Sequence, residues 1–131
     1  MADIFNTDDM LDTYLYENRR LLENLQELVL AQKDAKSFDQ MTIHKIFRTM
    51  HTIKGSSGVM MFDSITQTAH KLEDVFAVIR ESQQENVPHM ELVAYVLEVV
   101  DFIAAELDKV ENGVYADTDA TELLDKLHVF Y

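Results

Sequence analysis

Four residues stand at spacings that allow nucleophilic chemistry: His51 and Lys54 in "MHTIKGSSG", and His70 and Glu73 in "AHKLEDVF". On a helix, residues three apart share a face, so each pair presents its two groups together. About 11 residues separate His51 from Phe62, and about 11 more separate Phe62 from Glu73. If the chain turns back near Val59–Phe62, each arm is roughly 16 Å long and Glu73 comes level with His51. An imidazole attacks through a neutral nitrogen. A carboxylate that accepts a hydrogen bond from the other nitrogen fixes the tautomer and raises basicity. Lys54 then balances the charge of an incoming phosphoryl group as a point-charge donor. His70 supplies a second donor from the facing helix.

The same stretch loses side chains where a helix ordinarily keeps them. Gly55 lies one turn above His51, Gly58 continues the strip, and Ser56 sits between. A glycine inside a helix costs about 1 kcal/mol relative to alanine. Here the bare patch of Gly55, Ser56 and Gly58 leaves room for a bulky group on His51 or for an approaching backbone.

These groups need helices to hold them. Apolar residues recur at the 3.6 period over five segments, about 7–33, 37–58, 63–84, 88–112 and 118–130. The first carries Leu11, Tyr14, Leu15, Leu22, Leu25 and Val29 on one face, with Asn18 its only polar member. The second carries Ile43, Ile46, Phe47, Met50 and Ile53, and opens with a capping-box pattern at Ser37 and Gln40. The third carries Ile65, Ala69, Leu72, Val75, Phe76 and Ile79, with Asp63 or Ser64 as N-cap and His70 and Glu73 beside the stripe. The fourth starts at Pro88, ends at Asn112-Gly113, and carries Leu92, Val96, Val99, Ile103, Leu107 and Val110. Asp119 and Glu122 are candidate caps for the fifth. Long helices with short connections predict an all-α, antiparallel up-down four-helix bundle with a fifth, shorter C-terminal helix, in a single domain over 1–131.

Composition narrows the function. The net charge of −13 makes nucleic acid and anionic lipid poor partners. No cysteine is present, which excludes disulfides, cysteine zinc sites and thiol catalysis, and fits the cytosol. The N-terminus shows no basic region followed by an apolar run, so no signal peptide is expected. The most apolar window, "LVAYVLEVVDFIAAEL", is broken by Glu98, Asp101 and Glu106 and does not suit a bilayer.

"IFRTMHTIKGSSG" with "THKLEDVF" downstream resembles the histidine-phosphotransfer domain of the chemotaxis histidine kinases, the CheA family. The resembling pattern is H-x-x-K-G-[SA]-[SA]-x followed, 19 residues after the first His, by H-x-x-E. "MLDTYLYENRRLLENLQELVL" also resembles the family's first helix, so the specific likeness runs from Met1 to about Ile79. The resemblance implies that His51 accepts the γ-phosphoryl group of ATP, bound with Mg by a separate kinase catalytic domain, and passes it to an aspartate of a response-regulator receiver domain. It implies that Glu73 orients and activates His51, that Lys54 assists, and that His70 joins the same hydrogen-bond network. Many members carry Gly before the Phe of the turn, where Met61 stands here. A turn of different geometry is therefore expected if that Gly supplies a positive φ. No nucleotide-binding box follows, so the expectation is a kinase fragment or a free-standing relay protein, cytoplasmic and without a cofactor of its own.

Two other readings compete. A metal-binding bundle would draw on His44, His51, His70 and Glu73. Such sites use Glu-x-x-His elements, and here His70-x-x-Glu73 runs in reverse, so no metal is expected. A helical docking module without chemistry would explain the acidity but leave Lys54, Gly55 and Glu73 without a role.

Overall fold

The computed structural model describes residues 7–82, 84 and 87–127. They form five helices and, among the described residues, no strand: α1 (Thr7–Ala31), α2 (Gln40–Val59), α3 (Asp63–Ser82), α4 (His89–Glu111) and α5 (Thr121–Leu127). The predicted extension of α5 to residue 130 lies outside the described residues. The apolar stripes of α1, α3 and α4 bury as the periodicity dictates, with Leu11 half-buried at the start of α1. In α2, Ile43, Ile46, Met50 and Ile53 bury fully, while Phe47 stays half-exposed at the edge. Asn18 enters the core because its amide is satisfied there: Nδ2 donates to the Tyr14 carbonyl at 2.7 Å, and Oδ1 accepts from Ser56 Oγ at 3.2 Å.

Contacts at the helix ends set the arrangement. Tyr14 and Ser57 share a 2.6 Å hydrogen bond, so the start of α1 meets the end of α2. Burial pushes the Tyr14 phenol up to about 12 against the pull of the Ser57 hydrogen bond, so it stays protonated. Arg19 bonds Asp108 and Glu111, tying the middle of α1 to the end of α4. At the opposite end, Gln84 Oε1 accepts from the Phe38 N–H at 3.0 Å, and Gln84 Nε2 donates to His89 Nδ1 at 3.2 Å. His89 Nε2 then donates to the Gln32 carbonyl at 2.7 Å. That carbonyl only accepts, so Nε2 carries the proton. His89 is thus a buried structural histidine joining the chain after α1 to the start of α4.

Two predicted caps fall elsewhere, and a third is met in part. α2 begins at Gln40, and its N-cap is Asp39, whose carboxylate accepts from the Thr42 N–H at 2.7 Å; Ser37 precedes it. A carboxylate at that position both caps and complements the helix dipole. Ser64 lies inside the first turn of α3 and is buried, its Oγ 2.6 Å from Glu106 Oε1 and 2.8 Å from the Ala116 carbonyl. Glu106 also accepts from the N–H and Oγ1 of Thr118, which pins the α4–α5 connection onto α3. Burial pushes the Glu106 carboxyl up, but the hydrogen bonds from Ser64 and Thr118 outweigh it and hold it below the usual range. Glu122 lies within α5, and the cap is supplied by Asp119 alone, through the Thr121 N–H at 2.9 Å.

The α2–α3 turn corrects another expectation. Met61 itself adopts φ 63°, the left-handed value a glycine would supply. The Phe62 N–H bonds the Ser57 carbonyl at 2.9 Å and the Met61 N–H bonds the Gly58 carbonyl at 3.1 Å. This is the Schellman pattern. α4 ends in the same pattern around Gly113 at φ 79°, so two helices share one cap with different residues at its strained position. A left-handed backbone at Met61, not a different turn, takes the place of the expected glycine. Met61→Gly is expected to stabilise the fold by about 1 kcal/mol, read as a raised urea midpoint, because Met61 is exposed and its side chain has little packing to lose.

Candidate functional site

α2 and α3 pack against each other more heavily than any other pair, and the site lies on their shared surface. His51 Nδ1 is hydrogen-bonded to Glu73 Oε2, and Lys54 Nζ lies 2.7 Å from Glu73 Oε1. The carboxylate therefore bridges an imidazole and an ammonium that are neighbours on α2. The register follows from the two arms of equal length on either side of the turn. The His51 side chain is 64% exposed, whereas that of Glu73 is 8% exposed, so the acid is a buried support under an open ring. Glu73 belongs to the buried face of α3, inside the margin where periodicity placed it. Burial pushes its carboxyl up, but hydrogen bonds and charge from Lys54 and His51 outweigh that and hold it below the usual carboxylate range. Ionised, Glu73 accepts from Nδ1–H, and Nε2 keeps its lone pair with no protein partner among the described residues.

The ring opens on a cleft of about 380 Å³ lined by Phe47, Arg48, His51, Thr52 and Glu73. Phe47 lies parallel to the imidazole, 12° between planes and 6.5 Å between centroids. Its face also carries the Arg80 guanidinium, 4.4 Å from the ring centroid. Sequence reading placed Phe47 in the core stripe and missed Arg80. The available signal was the spacing of Phe47 and His51 at i and i+4, which puts both on one face.

A Cβ added at Gly55 or at Gly58 would meet nothing within 4 Å, so that strip is open to solvent. Ser56 does not share it, because its Oγ turns toward Asn18 of α1. His70 is not bonded to His51. It is exposed, and its Nε2 lies 3.5 Å from Asp74 Oδ1 on its own helix. The four residues of the metal reading are not brought together. The His70, Glu73 and Asp74 ligand atoms lie within 4.8 Å of one another, and His44 and His51 stand outside that group. Both Glu73 oxygens are already engaged by His51 and Lys54.

Among the described residues, no helix is long and apolar enough to cross a membrane. The model of the Hpt domain family matches residues 9–113. The chain is similar to Chemotaxis protein CheA of Borreliella burgdorferi, 31% identical over 94% of this chain and 14% of the relative. It is similar to Chemotaxis protein CheA of Bacillus subtilis, 29% identical over 91% of this chain and 17% of the relative. It is also similar to Sensor histidine kinase CheAY of Helicobacter pylori, 29% identical over 72% of this chain and 12% of the relative. The chain thus spans less than a fifth of the length of each. No solved structure matches. With a family match that covers most of its residues, the chain belongs to the Hpt domain family.

Proposed function

We propose that the chain is the phosphoryl carrier of a chemotaxis-type two-component pathway, built as a single antiparallel up-down four-helix bundle with α5 packed against it. The observation that carries this reading is the open imidazole of His51 held through Nδ1 by a buried, ionised Glu73. The Nε2 lone pair attacks the γ-phosphorus of ATP. The N–P bond forms, the bond to the ADP oxygen breaks, and the ring becomes cationic with its proton still on Nδ1. The Glu73 carboxylate stabilises that cation, and Lys54 faces the phosphoryl charge. In the second transfer an aspartate oxygen of a response-regulator receiver attacks phosphorus, and the N–P electron pair returns to Nε2. His70 stands at the edge of this network. The open strip of Gly55 and Gly58 admits both partners. ATP and Mg belong to a histidine kinase catalytic domain, not to this chain. The chemistry is the same in a kinase segment and in a free-standing relay, and its setting is cytoplasmic, away from nucleic acid and membrane.

The test is direct. Mixed with an active CheA-type kinase core and ATP, the chain takes up one phosphoryl group in an acid-labile linkage that survives base, as a phosphoramidate does. No uptake, or an acid-stable label, would refute the reading.

A further inference from the structure

The charge of this molecule is divided unevenly. α2 contains no Asp or Glu and three cations, Lys45, Arg48 and Lys54, so it stands at +3 and leaves −16 on the rest of the chain. Elsewhere Arg19 pairs with Asp108 and Glu111, Lys109 with Glu106 and Asp117, and Lys126 with Glu98, while Arg20, Lys33 and Lys36 make no ion pair among the described residues and lie away from the His51 cleft. Around His51, Lys54 is paired with Glu73. Among the described residues, Arg48 makes no ion pair, and Arg80 is held by the face of Phe47 and not by a carboxylate. Both side chains belong to exposed residues. Arg48 lines the His51 cleft and also the adjoining groove between α1 and α2, where Lys45 and Glu27 stand with it. What sets these two guanidiniums apart from the other unpaired cations is their place: Arg48 lines the His51 cleft, and Arg80 lies on the ring of Phe47, which lines it too.

We propose that Arg48 and Arg80 form a cationic rim that docks the His51 cleft onto an acidic protein surface, the one around the attacking carboxylate of the phosphoryl acceptor. This rests on the phosphocarrier reading above. The acceptor must offer a carboxylate as the attacking group, and a net charge of −13 on the carrier repels such a surface from every side but α2. A local positive rim corrects that repulsion and selects the orientation in which Nε2 faces the acceptor. Phe47 gives Arg80 its fixed place, because a guanidinium on an aromatic face keeps its N–H edges free for carboxylates. In the transfer, the acceptor oxygen bonds to phosphorus, the N–P bond breaks, and its electron pair stays on Nε2.

The experiment starts from phosphoprotein already labelled with potassium phosphoramidate, so that no kinase is involved and equal amounts of phosphohistidine are compared. The probe is a purified receiver domain of a chemotaxis response regulator, and the reading is the second-order transfer rate at about 0.05 M and about 0.5 M salt. Arg48→Glu and Arg80→Glu are each expected to lower the rate about tenfold at low salt, with the deficit shrinking to about twofold or less at high salt. Lys36→Glu makes the same charge change on an exposed residue before α2, over roughly 16 Å of helix from His51, and is expected to stay within about twofold of wild type. Wild-type rates in the arginine variants, an equal deficit at both salts, or an equal loss in Lys36→Glu would each overturn the rim. Failure of phosphoramidate to label the wild-type chain at all would instead strike the carrier reading, so the two failures are distinguishable.

Discussion

His51→Gln abolishes phosphoryl uptake, from a kinase core and from phosphoramidate alike. Glutamine keeps much of the length and polarity of the side chain, but its amide has no lone pair able to attack phosphorus. The His51 side chain is 64% exposed, so the change leaves the apolar core untouched, and the altered bond to Glu73 costs about 1 kcal/mol of unfolding free energy. Loss of labelling with a urea transition that stays cooperative and shifts only slightly is the expected pair of results. A variant that labels as fast as wild type would place the nucleophile elsewhere and remove the basis of the account.

Glu73→Gln slows the uptake by about a hundredfold without abolishing it. The amide oxygen still accepts from Nδ1–H, so the tautomer survives. What disappears is the negative charge that offsets the cationic ring as the N–P bond forms. The effect reads as a reduced rate of labelling by phosphoramidate, in which no partner docking is involved, with the same final stoichiometry. Because Glu73 is 6% exposed and bonded to both Lys54 and His51, the substitution also costs about 1–3 kcal/mol of stability. The pH dependence of stability differs between the two proteins. The folded carboxyl is held below its ordinary range, so its stabilisation is complete above the unfolded pKa of about 4.3 and is lost as pH falls through the folded value. The Gln variant lacks that part of the acid transition. Equal labelling rates in the two proteins would reduce Glu73 to a structural acid.

Much of the site was legible because helices convert spacing into geometry. The stripes of α1, α3 and α4 have one period and one buried side, and the equal arms around Phe62 bring His51 and Glu73 level. What escaped depends on choices that periodicity does not encode. Ser37 and Asp39 are both competent caps, and the carboxylate takes the position. Ser64 fits an N-cap equally well but is drawn inward by the buried Glu106, an acid from a helix more than forty residues away. Met61 takes a glycine's conformation because the Schellman bonds of its neighbours over-determine the turn. Ser56 and His70 turn to Asn18 and Asp74, each a partner of the right chemistry, instead of to His51. The Arg80–Phe47 contact joins α3 to α2 across the surface, where no repeat within either helix announces it.

The central claim is that the Nε2 lone pair of His51 receives the phosphoryl group while Nδ1 keeps its proton toward Glu73. Nitrogen-15-labelled protein, phosphorylated and read by nitrogen–phosphorus correlation in solution NMR, tests it most directly. The account predicts one phosphorus coupled to Nε2 of residue 51, with a proton on the other ring nitrogen. Phosphorus coupled to Nδ1 of that ring, or to His44 or His70, would contradict it.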